Sequence, residues 1–289
     1  MIPEYYMLHL PSASQLQTWL EIATAAALAA GEIINQHRSP LLQIEQKGRL
    51  GDLVTVADRE AEAKIIEILQ RHLPTHSILA EETGNYGDSE AEYQWVIDPL
   101  DGTTNYAHQY PFSAVSIGLL VKGLPTLGVI FDPWHQELFC AATGLGATRN
   151  RQPIQVSATN QLSDSLLVTG FAYDRRETDD HNYREFCYLT HITQGVRRGG
   201  AAAIDLAYVA CGRLDGYWER GLSPWDLAAG VVIVQEAGGL VTAYDQSDFV
   251  LNSGRILATN GEIHQPLSQS LAKVKQTNWS FPTELFNII

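Results

Sequence analysis

Between residues 14 and 37, apolar positions return every three to four residues, placing Leu16, Trp19, Leu20, Ile22, Ala23, Ala26, Ala30 and Ile33 along one side. That period predicts an amphipathic helix with Ser12 or Ser14 as its N-cap. The first eleven residues carry no such period and read as a loose arm. A second helix is expected over 57–72, with Ile65, Ile66, Ile68 and Leu69 turned inward and Pro74 ending it. The rhythm then shifts to short strand-like runs at 76–80 and 93–97. Runs at 114–121 and 127–131 flank Lys122-Gly123-Leu124-Pro125, which reads as a hairpin, and 137–141 precedes a Gly-rich turn at 143–146.

From residue 166 onward the pattern alternates. Strands are expected at 166–171, 195–198, 215–219, 240–244 and 256–259, and helices at 179–191, 202–211, 225–237 and 266–275. Such alternation predicts an α/β half, residues 156–289, behind an α+β half, residues 1–155, with the join near 153–164. The final stretch, 279–289, is apolar for a terminus and is expected to dock on its own chain or on a partner.

Composition narrows the class. With 45% hydrophobic residues the chain can build a large core. Its 19 Lys and Arg against 33 Asp and Glu give a formal charge of −14, which repels phosphate backbones and argues against nucleic acid as a partner. Cys140, Cys187 and Cys211 share no C-x-x-C spacing, so buried thiols are expected rather than a disulfide framework or a zinc site. No apolar run approaches the ~20 residues that cross a bilayer, and no basic leader opens the chain. A cytoplasmic protein without a membrane partner is expected.

The densest chemistry lies in Trp95-Val96-Ile97-Asp98-Pro99-Leu100-Asp101-Gly102-Thr103-Thr104-Asn105. A buried strand is expected to end at Asp98, where Pro99 stops its ladder, and a helix to open at Gly102-Thr103-Thr104. Two carboxylates then share a strand tip beside helix N–H groups that can seat a phosphate. Carboxylates alone repel phosphate, so the combination calls for hard divalent cations between them. Oxygen ligands without His or Cys favour Mg²⁺ over Zn²⁺. Ala80-Glu81-Glu82 and Pro224-Trp225-Asp226 put further carboxylates at element ends. Taken singly, each has a plainer reading as a turn cap, a solvated charge or a helix-dipole partner.

Together, Ala80-Glu81-Glu82, Asp98-Pro-Leu-Asp-Gly-Thr-Thr-Asn105 and Trp225-Asp226 followed by Glu236-Ala-Gly-Gly239 resemble the signature motifs of the inositol monophosphatase family. The likeness runs from about residue 16 to 275 and takes in Asp52-Leu-Val-Thr-Val-Ala-Asp58. Gly-Arg-Leu-Asp-Gly-Tyr-Trp-Glu at 212–219 is most similar to bacterial and plastid-type members. The resemblance implies a layered α-β-α-β-α sandwich, a homodimer, inhibition by Li⁺ and Mg²⁺-dependent hydrolysis of a small phosphate monoester. Myo-inositol 1-phosphate comes first, with fructose 1,6-bisphosphate, histidinol phosphate and 3′-phosphoadenosine 5′-phosphate as the family's other options. It implies that Glu81, Asp98 and the Leu100 carbonyl hold one Mg²⁺, that Asp98, Asp101 and Asp226 hold a second, and that a weaker third ion lies near Glu81.

By the same resemblance Asp58 and Thr103 orient and deprotonate a water, with Glu81 also counted in the catalytic set. The amides of Gly102 and Thr103, with Lys47, face the phosphate. The backbone of Gly200 and Ala202 and the carboxylate of Glu219 receive polyol hydroxyls. Ala201 stands where most relatives have Ser or Thr, so one hydroxyl contact is missing. The Arg197-Arg198 pair suits either an extra phosphate or a structural or interface role. Some bacterial relatives act as regulators through RNA polymerase or RNA, but the intact acidic set and the net charge argue against that here. Two other signals are weak. Thr143-Gly144-Leu145-Gly146-Ala147-Thr148-Arg149 lacks the last Gly of a dinucleotide fingerprint and reads as a turn. His72 and His76 are interrupted by Pro74 and read as surface residues.

Overall fold

The computed structural model describes residues 10–38, 44–46, 53–88 and 90–276. The first arm, Lys47, Asp52 and the apolar stretch at 279–289 lie outside the described residues. Helix α1 (Ala13–Gln36) opens on a reciprocal cap, in which Ser12 Oγ accepts the Gln15 N–H and Gln15 Oε1 accepts the Ser12 N–H. A two-stranded ribbon, β1 (Ile44–Gln46) and β2 (Leu53–Thr55), leads into α2 (Val56–His72). Leu16, Ala23 and Ala30 of α1 join Ile65 and Leu69 of α2 in a core against one face of a large sheet.

That sheet has eight strands: β3 (Ser77–Ala80), β4 (Gly84–Tyr86), β5 (Tyr93–Asp101), β6 (Ala114–Val121), β7 (Leu124–Asp132), β8 (Glu137–Ala142), β9 (Gly146–Arg149) and β10 (Gln152–Pro153). Between β5 and β6 lies the short helix α3 (Thr103–Ala107). The spatial order is β10-β9-β8-β7-β6-β5-β3-β4, antiparallel throughout except for the β3–β5 pair. Strand β6 is buried at every position, as expected of a strand covered on both faces.

The second sheet contains β11 (Leu166–Thr169), followed by α4 (Tyr183–Ile192), β12 (Gly195–Arg197), α5 (Ala202–Ala210), β13 (Gly216–Arg220), α6 (Pro224–Glu236), β14 (Leu240–Thr242), β15 (Arg255–Thr259) and α7 (His264–Gln276). Its order is β12-β11-β13-β15-β14, parallel on the β12 side and antiparallel on the β14 side. Helices α5 and α6 are sandwiched between the two sheets. The sequence of α6 is apolar all round, as such a position demands. Leu189 of α4 and Leu267 and Leu271 of α7 cover the outer face over Leu167, Trp218 and Leu257. The result is the expected α-β-α-β-α layering.

Several local expectations need correction. Strand β5 does not end at Asp98. It continues to Asp101, with Asp98 opposite Ser116 and Asp101 opposite Ala114 across a register shift that absorbs Pro99. The turn before β7 is shorter than expected, because Lys122 (φ 48°) and Gly123 (φ 80°) complete it and Leu124 and Pro125 already belong to the strand. Gly146–Arg149 forms a strand rather than part of a turn. His76 is half-buried rather than exposed: its Nδ1 accepts the Trp95 indole N–H at 3.1 Å, Tyr93 stacks on its ring, and burial lowers its pKa to about 4. The three cysteines are half-buried rather than fully enclosed.

Candidate active site

The tip of β5 is shaped by the missing N–H of Pro99. Asp98 Oδ1 accepts the Leu100 N–H at 2.9 Å, folding the chain back over the proline. The Leu100 carbonyl lies 3.0 Å from the Thr103 hydroxyl, one of two acceptors within reach of its single hydrogen, the other being Asp58. Asp101 Oδ2 accepts the Ala203 N–H at 2.7 Å, so the first turn of α5 holds it. Asp226 is the third residue of α6, where its Oδ2 accepts the Ser223 N–H at 2.6 Å in a capping box. These three elements bring one carboxylate oxygen each of Asp98, Asp101 and Asp226 within 4.8 Å of one another. Glu81 follows β3, its N–H bonded to the Ile97 carbonyl at 3.2 Å and its carboxyl hydrogen-bonded with Asp98.

Burial, followed by the charges of neighbouring carboxylates, raises the pKa of Asp98 and Asp226 well above the ordinary range. Burial also raises Asp101 to about 7, although the amides of Ala203 and Ala202 pull the other way. Carboxyls so placed cannot all ionise side by side unless a cation lies among them. With only oxygen donors, the residues present fit a hard divalent ion of the Mg²⁺ kind.

Beside the cluster, Asp58 sits fully buried in the first turn of α2. Its Oδ2 accepts both the N–H and the hydroxyl of Thr55, at 2.9 and 2.5 Å. That leaves Oδ1 for the Thr103 hydroxyl at 3.0 Å. Burial raises the Asp58 pKa to about 6 against the opposing effect of these bonds. Gly102 links β5 to α3 at φ 86°, and a Cβ there would come within 2.9 Å of the Phe112 carbonyl. No other residue suits that turn.

A cavity of about 190 Å³ opens next to the cluster, with Asp101, Gly102, Gly200, Ala202, Glu219 and Asp226 in its wall. Glu219 accepts the Tyr217 hydroxyl at 2.7 Å, and burial raises its pKa to about 7. It lies directly on Gly170, where a Cβ would meet both carboxylate oxygens at 2.1 Å. Asn105 Nδ2 donates to the carbonyls of Phe112 and Gly199, at 2.8 and 3.0 Å, tying α3 to the glycine pair before α5. The positive charge of Arg198 at the cavity wall lowers the pKa values of Asp101, Asp205 and Glu219 against the effect of burial.

Asp58, Glu81, Asp98, Leu100, Asp101, Gly102, Thr103, Gly200, Ala202, Glu219 and Asp226 therefore gather around one cluster and cavity. The Ala202 amide is directed at Asp101. Sequence reasoning missed Thr55, Asn105, Asp205 and Tyr217. Asp205 is 2% exposed, with an Oδ1 that has no hydrogen-bond partner among the described residues. The polar side chain of Asp205, set in the otherwise apolar run of α5, was the available signal.

This five-layered fold, with its acidic cluster between the sheets, defines a class of protein that comparison identifies. The model of the inositol monophosphatase family matches residues 15–276. An inositol-1-monophosphatase of Synechocystis sp. is 66% identical over 265 residues, covering 92% of each chain. The structure of an inositol monophosphatase from Anabaena (Nostoc) sp. superposes with a TM-score of 0.83 at 61% identity, covering 90% of this chain and 97% of that one. The Nus factor SuhB of Pseudomonas aeruginosa is 45% identical over 258 residues, 87% of this chain and 95% of its own. The chain belongs to the inositol monophosphatase family and is a phosphatase of that family.

Proposed function

We propose that the protein hydrolyses a small polyol phosphate monoester, myo-inositol 1-phosphate foremost, using Mg²⁺ held by its carboxylate cluster. The observation that carries this reading is three aspartates within 4.8 Å of one another, Asp98 and Asp101 buried and Asp226 half-buried, beside a cavity with Glu219 in its wall. At about 190 Å³ the cavity is smaller than the ~300–1,000 Å³ of typical ligand pockets, which favours a single small polyol over a nucleotide. Glu81, Asp98 and the Leu100 carbonyl would hold one Mg²⁺, and Asp98, Asp101 and Asp226 a second, with a weaker third near Glu81. Bound there, such ions neutralise charge on the phosphate and make a water easier to deprotonate.

The chain's own residues supply positioning and proton transfer. With its one hydrogen turned to Asp58 rather than to the Leu100 carbonyl, the Thr103 hydroxyl can accept a hydrogen bond from the attacking water, so Asp58 can take up its proton through Thr103. The water oxygen joins phosphorus, the phosphorus–oxygen ester bond breaks, and the departing polyol oxygen takes up a proton from solvent water, to which Asp58 returns the proton it took. The amides of Gly102 and Thr103, with Lys47, would seat the phosphate. Glu219 would accept hydrogen bonds from polyol hydroxyls. A homodimer and inhibition by Li⁺ are part of the same proposal.

Phosphate release from inositol 1-phosphate, fructose 1,6-bisphosphate, histidinol phosphate and 3′-phosphoadenosine 5′-phosphate, with and without Mg²⁺, tests this reading. Preference for the inositol ester that needs Mg²⁺ and vanishes in Asp98→Asn is expected; turnover retained in that variant would sink it. The relative named as a Nus factor supports a second reading, a regulatory binding role. Capture of transcription machinery by a folded protein that releases no phosphate from any of the four esters would favour it.

A further inference from the structure

Helix α2 carries Asp58 in its first turn and Glu62 one turn later, and both face inward. Glu62 is 1% exposed among Ala57, Ala61, Ile65 and Ile66, a face on which an apolar side chain would pack at lower cost. Both of its oxygens are spent on the turn after β3. Oε2 accepts the Glu82 N–H at 2.8 Å and Oε1 accepts the Thr83 hydroxyl at 2.5 Å. On the other side of the same turn, the Glu81 N–H is fixed to the Ile97 carbonyl of β5. Glu81 is thus clamped between the strand that carries Asp98 and the helix that carries Asp58.

We propose that Glu62 is a positioning residue for Glu81, using α2 as a rigid spacer that sets where the Glu81 carboxylate meets Asp98. This rests on the reading of the acidic cluster as a divalent-cation site. Residues that orient metal ligands from behind typically change metal affinity by about 10- to 100-fold when removed. A glutamine at this position keeps both bonds, with its oxygen accepting the Glu82 N–H and its amide donating to Thr83 Oγ1.

The test uses Mn²⁺ as probe, titrated into the chelator-stripped full chain while free Mn²⁺ is read by electron paramagnetic resonance. Glu62→Ala is expected to weaken Mn²⁺ binding by about tenfold or more. Glu62→Gln should stay close to wild type, and Thr83→Val, which loses one bond, should fall between. Thermal melting in EDTA reports folding separately, and Thr83→Val carries the test if Glu62→Ala does not fold. Wild-type affinity in Glu62→Ala overturns the proposal, as does a Glu62→Gln variant as weak as the alanine. A wild-type chain that binds no Mn²⁺ removes the cation-site reading itself, and the role of Glu62 with it.

Discussion

His264 shows how a single side chain can commit a region to one protonation state. The ring is 2% exposed at the start of α7, with Nδ1 2.9 Å from Thr259 Oγ1 and Nε2 2.8 Å from Thr242 Oγ1. Thr259 Oγ1 already accepts the Gly261 N–H, and the Thr242 hydroxyl has the Ala243 carbonyl to donate to. The bonds close when Thr259 donates to Nδ1 and a neutral ring donates from Nε2. A second ring proton would force the Thr259 hydroxyl hydrogen to turn away from the ring and give up its acceptor there. Burial accordingly lowers the His264 pKa from 6.5 to about 4. The unfolded chain therefore binds more protons than the folded one between those values, so this contribution is complete above about pH 6.5 and is lost as pH falls toward 4. Urea midpoints measured across that window should fall less steeply in His264→Gln than in wild type, with His76 accounting for part of the remaining slope. An unchanged slope would sink the argument. At Glu219, whose carboxyl is ionised above its pKa of about 7, replacement by Gln should raise KM by about tenfold or more in assays above that pH, as expected for losing a charged hydrogen-bond acceptor, while the Mg²⁺ dependence stays the same. Glu81, Asp98, Asp101 and Asp226 were legible in the sequence because each stands at an element end in a local motif. Thr55 and Tyr217 were not, since a hydroxyl three residues before Asp58 or two before Glu219 gains meaning only when the fold excludes water from the pair.

At the scale of elements, the placement of Asp226 depends on how closely α6 approaches the large sheet. Gly118 of β6 and Gly128 of β7 lie directly opposite each other and make a flat patch under Ala228 and Ala229. A Cβ on Gly128 would come within 2.2 Å of the Ala229 carbonyl oxygen, and one on Gly118 within 2.6 Å of the Ala228 Cβ. Since the obstacle at Gly128 is helix backbone, α6 itself must move. Gly128→Ala should cost about 1–3 kcal/mol by overpacking. Because Asp226 sits in the first turn of the displaced helix, the same variant should also need more Mg²⁺ for half-maximal phosphate release. Urea unfolding and a Mg²⁺ titration of activity check the two effects; loss of stability with an unchanged Mg²⁺ requirement would separate helix position from the site. The sequence conceals this device, because glycine inside an apolar strand reads only as a weak point in the pattern. The long helices were legible from their period. Strands β1, β2 and β4, three residues each, are too short to show one. The extension of β5 through Pro99 was missed because the register shift that makes it possible depends on β6.

For the whole molecule, the cluster is a meeting point of parts that share no local sequence. Asp98 and Asp101 come from the eight-stranded sheet and Asp226 from the helix layer, with Glu219 nearby at the end of a strand in the five-stranded sheet. Without a cation these layers bring buried carboxylates together against their mutual repulsion, in a chain whose net charge is already −14. With a cation the same contact becomes an attraction that holds the layers together. Binding to the native state alone contributes about 2.7 kcal/mol at a ligand concentration one hundred times Kd. For a chain this long each kcal/mol moves Tm by roughly 2–4 °C, so saturating Mg²⁺ should raise the wild-type midpoint by several degrees and EDTA should reverse it. Asp98→Asn should behave oppositely in two respects. It should lose most of the Mg²⁺-dependent shift, and in EDTA it should melt no lower than wild type, because removing one buried carboxylate relieves repulsion. Equal Mg²⁺ shifts in the two proteins would assign the stabilisation to diffuse binding on the acidic surface rather than to the cluster. An Asp98→Asn chain that melts far below wild type in EDTA would mean that the Leu100 N–H needs a charged acceptor to fold the β5 tip, so that the aspartate is structural before it is a ligand.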